Sequence, residues 1–104
     1  MFVVPKSEGS KKENRFTFKL SERGKTHSVP FLQYIGGEAA EYIESLAVKP
    51  VSEATMLRNL IRIECPEAFD EIRKLANDQV AALSVAWAEE SEASAGESQA
   101  SEGS

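Results

Sequence analysis

The sequence predicts an α+β fold: an N-terminal β-hairpin packed on a small bundle of three to four helices, with a disordered acidic C-terminal tail. Three observations predict it. Two short segments near the start alternate apolar and polar residues, the pattern of half-buried strands. From Gly36 to Trp87 the apolar residues recur at helical spacing. After Trp87 comes "AEESEASAGESQASEGS", in which no apolar residue is larger than alanine. The expected organisation is a flexible basic arm over 1–14, a single domain over 15–90, and the disordered tail over 91–104.

The arm reads as "MFVVPKSEGSKKEN", with Gly and Ser and no periodicity. Met1 to Val4 are apolar and suited to joining an edge. In "RFTFKL" Phe16, Phe18 and Leu20 point one way, and Arg15, Thr17 and Lys19 the other. "SERGK" is a turn in which Gly24 is available for a positive φ. "THSVPF" resumes the alternation through His27, Val29 and Phe31. Pro30 lacks an N–H, so its strand lies at an edge or is ending. A two-stranded hairpin is marginal alone, so the Phe16, Phe18 and Leu20 face must rest on helices.

A Gly pair opens the first helix, whose stripe is Ala39, Tyr42, Ile43, Leu46 and Ala47, and Pro50 ends it. Ser52 is the expected N-cap of a second helix, which buries Leu57, Leu60 and Ile61. Pro66 stops that helix and suits the first position of the next. A seam then runs Phe69, Ile72, Ala76, Val80, Leu83, Trp87, with a tight joint expected at Asn77-Asp78. The expected core is Phe16, Phe18, Leu20, Val29, Ile43, Leu57, Leu60, Ile61, Phe69, Ile72 and Leu83.

The chain has 104 residues, of which 41% are hydrophobic and 28% charged. An ordered part of ~60 to 75 residues is near the lower limit for a self-sufficient core, so self-association or a partner is considered. No apolar run reaches the ~20 residues of a membrane span. The N-terminus has its apolar residues before its charges, the reverse of a secretory signal, so none is expected. One cysteine, Cys65, excludes an internal disulfide and fits a reducing compartment. The net charge is −5, and residues 89–104 hold five Glu and nothing basic. The body is therefore neutral overall. The acidic tail disfavours nonspecific nucleic-acid binding, while the basic arm from Lys6 to Arg15 keeps a nucleic-acid reading as the alternative.

Few groups converge for catalysis. A Cys65–His27 nucleophile pair is set against a plainer reading, a buried thiol and a strand histidine, which the lack of a signature third group favours. No four-ligand zinc pattern and no phosphate loop are present, so no catalytic residue, metal or cofactor is expected. Helices 52–64 and 66–76 suggest a helix-turn-helix, but Glu67, Asp70 and Glu71, with Glu64 before them, outnumber Arg73 and Lys74. Trp87, the single Trp, is either a core residue or a partner-binding anchor. Val80, Leu83 and Trp87 on one helical face are the expected partner-binding residues.

Three blocks carry a resemblance: Lys25, Ser28, Val29, Pro30 and Leu32; Pro66, Glu67, Ala68, Leu75, Asp78, Gln79, Leu83, Ala86 and Trp87; and Gly96, Glu97, Ser98, Ala100 and Ser101. Over residues 15–101 the chain resembles the tail assembly chaperones of long-tailed (siphovirus-type) actinobacteriophages. The basic arm lies outside that pattern. The resemblance implies a non-enzymatic role: binding the tape measure protein and keeping it soluble while tail tube protein polymerises around it. It implies work in the host cytoplasm and absence from the finished virion. It also implies that the chain is the shorter product of a frameshifted gene, its tail becoming a linker in the longer one.

Overall fold

A computed structural model describes the backbone of residues 1–103 and the side chains of residues 1–96. The α+β expectation holds. An antiparallel hairpin of β1 (Arg15–Phe18) and β2 (His27–Pro30) precedes α1 (Gly37–Ser45), α2 (Glu53–Glu64), the short α3 (Phe69–Ile72) and the long α4 (Asn77–Gly103). The hairpin pairs Arg15 with Pro30, Phe16 with Val29, Thr17 with Ser28 and Phe18 with His27. The alternation therefore turns Phe16, Phe18, His27 and Val29 inward, where all four are buried. The strands stop short of Leu20, which is only half-buried. Gly24 closes the turn by donating its N–H to the Ser21 carbonyl at 3.0 Å. Its φ is not positive, contrary to expectation. The glycine serves close approach instead, because a Cβ there would lie 2.8 Å from Ser21 Oγ.

α2 is the central helix. Ser52 caps it as expected, its Oγ accepting from the Thr55 N–H at 3.2 Å, and Leu57, Leu60 and Ile61 are buried. The hairpin and α4 pack on it, and α1 lies on its flank. Pro66 opens a 3₁₀ turn, Pro66–Ala68, that leads into α3. The expected joint before α4 is present but earlier than the Asn77-Asp78 signal placed it: α3 ends at Ile72, not at 76, Asn77 is the first residue of α4, and the break covers residues 73–76. Arg58 fastens it, donating to the Leu75 carbonyl at 2.7 Å and to Asn77 Oδ1 at 3.0 Å. Along the seam Ile72, Val80 and Trp87 are buried, Phe69 and Leu83 half-buried, and Ala76 exposed.

Three expectations need correction. Ile43 is 38% exposed and not part of the core, because α1 turns only Ala39 and the Tyr42 ring inward. The Tyr42 hydroxyl accepts from Asn59 Nδ2 at 2.9 Å, which fixes α1's rotation on α2. The arm over 1–14 is not flexible throughout. Residues Glu8–Ser10 and Lys12–Asn14 form 3₁₀ turns, and Gly9 is buried against Tyr34 and Pro30. Arg15 ties that arm to β2, donating to the Gly9 carbonyl, Ser28 Oγ and the Ser28 carbonyl. Within the arm, the exposed apolar side chains are those of Met1 to Val4.

The third correction is the tail boundary. α4 continues through Ser91, where disorder was expected to begin. Ser91 is buried: its Oγ accepts from the Leu32 N–H at 3.0 Å and its carbonyl accepts from Gln33 Nε2 at 3.3 Å. Ala88, Glu89, Glu90 and Ala93 are sound helix formers, so nothing local stops the helix. Of the expected tail, Ser104 lies outside the described residues, as do the side chains of 97–103. No described helix is long and apolar enough to cross a membrane.

Candidate functional site

The expected partner-binding face is mostly interior. Val80 is 0% and Trp87 2% exposed, and Leu83 is half-buried. Trp87 stacks on Phe16 at 6.5 Å between ring centroids, with Phe18 stacked on Phe16 at 5.8 Å. Its Nε1–H donates to the Pro30 carbonyl at 3.0 Å. Pro30 can give the sheet no N–H, and here its carbonyl is satisfied by the indole. Of the two readings of Trp87, the structure places it in the core. Val80 and Trp87 are therefore interior in this fold and do not form an exposed face.

Two other features remain. One is a set of exposed apolar side chains around the link between α1 and α2: Ile43, Val48 and Val51, with Val48 90% exposed. Val85 of α4 is also exposed. The hydrogen bond from Ser84 Oγ to Glu53 Oε1, 3.1 Å, brings the turn that carries Val85 against the start of α2, two residues after Val51.

The other is polar and buried. His27, first residue of β2, and Cys65, between α2 and the Pro66 turn, come together although 38 residues apart, with Sγ 4.0 Å from Nδ1. The exposed Glu67 joins them from the same turn. The imidazole lies tilted against Phe18, ring centroids 5.6 Å apart. Its Nε2 is buried without a hydrogen bond, 3.9 Å from Glu71 Oε1. Burial, reinforced by the neighbouring Glu67 carboxylate, pushes the Cys65 thiol up to about 11. The Glu67 carboxyl is held below its usual range by its own backbone N–H and then by the thiol. At neutral pH Cys65 is thus a protonated thiol, the opposite of an activated nucleophile. Residue type alone pointed to the Cys65–His27 pair but not to Glu67 or Glu71 beside it. The inward register of His27 was the available signal; the reach of the Pro66 turn was not.

The basic arm also looks different once folded. Lys11 pairs with Glu8 at 2.6 Å and Arg15 is spent on Gly9 and Ser28, so two of its cations serve the fold. Beside it lies a cavity of about 230 Å³ lined by Gly9, Arg15, Tyr34 and Glu64. That volume falls below the ~300 Å³ at which small-molecule pockets begin. Comparison of the chain with protein-family models, curated proteins and solved structures finds no match.

Proposed function

We propose that the chain is a non-enzymatic phage tail assembly chaperone that binds the tape measure protein and keeps it soluble during assembly of the tail tube. One observation supports this most: large apolar side chains stand exposed around the α1–α2 link while the core is closed without them. A protein that shields helical apolar stripes needs such a rim, and exposed apolar groups beyond scattered single residues mark interaction sites. The acidic end of the chain would keep the complex soluble. The work belongs in the host cytoplasm, before the virion is complete.

The reading is tested by co-expressing the chain with the cognate tape measure protein and measuring the latter's soluble fraction. The wild type should hold it in solution. The double variant Val48→Glu and Val51→Glu should lose it while the variant's own unfolding transition stays in place. A tape measure protein that remains insoluble with the wild type would sink the reading. DNA binding with a steep salt dependence would favour a nucleic-acid role instead.

A further inference from the structure

We propose that His27, Cys65 and Glu67 form a binding site for a divalent cation of zinc's class, which pins the hairpin to the helical body. The inference is independent of the chaperone reading. Its basis is the convergence of three different ligand types from two parts of the fold. A histidine nitrogen, the Cys65 sulfur and a Glu67 oxygen all lie within 4.8 Å of one another.

The backbone explains why they stay there. Cys65 ends α2, its N–H donating to the Ile61 carbonyl at 2.7 Å. Its own carbonyl accepts from the Ala68 N–H at 3.0 Å. Pro66 limits the conformations open to Cys65, so the sulfur and the Glu67 carboxylate leave one stiff turn together. His27 is fixed by its strand pairing with Phe18 and by that ring against its face. Around a tetrahedral zinc, a sulfur and a nitrogen ligand are about 3.5 Å apart, from Zn–S of ~2.3 Å and Zn–N of ~2.0 Å. The Sγ–Nδ1 separation of 4.0 Å is therefore half an ångström wide of that geometry. The exposed Glu67 carboxylate, already beside the thiol, supplies the third side.

The other ring nitrogen supports the same assignment. Nε2 is buried and unpartnered, and the nearest carboxylate oxygen, on Glu71, is 3.9 Å away. Ligating histidines commonly direct their second N–H at a carboxylate, which fixes the tautomer and raises ligand basicity. With Nδ1 on the cation, Nε2 carries the hydrogen and faces Glu71. One thiolate, one imidazole and one carboxylate form a borderline-soft set suited to Zn²⁺ over Mg²⁺ or Ca²⁺. Binding forms a sulfur–metal bond and breaks the S–H bond, the proton leaving to solvent. The fourth position would be taken by water, since Glu67 stands at the surface.

The test uses the full chain, stripped with EDTA and dialysed, titrated with Co²⁺ and separately with Zn²⁺. One equivalent of Co²⁺ should bring a thiolate-to-cobalt charge-transfer band in the near ultraviolet, and Zn²⁺ should raise the melting temperature. Cys65→Ser should abolish the band. Glu67→Gln, at an exposed position that does not threaten folding, removes a direct ligand and should weaken binding by more than the ~10–100-fold typical of losing an outer-shell partner such as Glu71. Glu71→Gln should weaken it less. Absence of the band, a melting temperature that Zn²⁺ leaves unmoved, or a Glu67→Gln variant that binds like the wild type would each overturn the site.

Discussion

α1 and the stretch of α4 around and beyond Trp87 treat their residues in opposite ways. α1 and the link after it carry Ile43 and Val48, and both stay exposed. α4 beyond Trp87 carries no apolar residue larger than alanine, yet Ser91 is buried there. A side chain's hydropathy says what burial would gain. Whether burial happens depends on what lies opposite. α2 meets α1 through Ala39 and the Tyr42–Asn59 hydrogen bond, which leaves the Ile43 side of α1 facing out. Opposite Ser91 lie the Leu32 N–H and the Gln33 amide, donors that a small hydroxyl residue satisfies and a leucine would not.

The comparison can be broken most forcefully at Trp87. Trp87→Ala should cost about 3–5 kcal/mol, since it removes the stack on Phe16 and leaves the Pro30 carbonyl unpaired. For a domain with ~5–15 kcal/mol in total, a urea melt should show it as a large loss of midpoint. A cost below about 1 kcal/mol would mean that α4 is not part of the core. Next is Ser91→Ala, expected to cost about 1 kcal/mol because the part-buried Leu32 N–H loses its acceptor. Removing residues 92–104 and keeping Ser91 should cost less than that, which separates the seated serine from the helix that follows it. Smallest is Val48→Ser, expected within about 0.5 kcal/mol of wild type by the same melts. A larger loss would show that the link is buried against something, a second copy included.

The hairpin, the Ser52 cap, the Pro66 stop and the joint before α4 were all legible, because each rests on local chemistry with one good solution. Alternation fixed the inward faces of Phe16, Phe18, His27 and Val29, and spacing found Leu57, Leu60 and Ile61. The failures share a cause. Ile43, Gly9 and Ser91 are decided by a partner distant in sequence: Asn59 for α1's rotation, Tyr34 for Gly9, and Leu32 for Ser91. A single-residue criterion has no access to such a partner. The same holds for the candidate sites. Trp87 was open between core and surface until the Pro30 carbonyl appeared beside its indole. His27 and Cys65 were known as types, but their meeting depended on how β2 settles against the end of α2.

The bond from Trp87 to the Pro30 carbonyl spans 57 residues of chain, and this sets an order on how the protein is made. Both strands of the hairpin are synthesised early, with Phe16 and Phe18 on one face and Trp87 not yet made to cover them. A lone hairpin of two strands is marginal in water. At roughly 5–20 residues per second, those 57 residues take about 3–11 s to follow. During that interval the nascent chain presents two phenylalanines and the unpaired edges of its strands. The indole can close that face only once α4 has emerged, and Ser91 follows it onto Leu32 and Gln33.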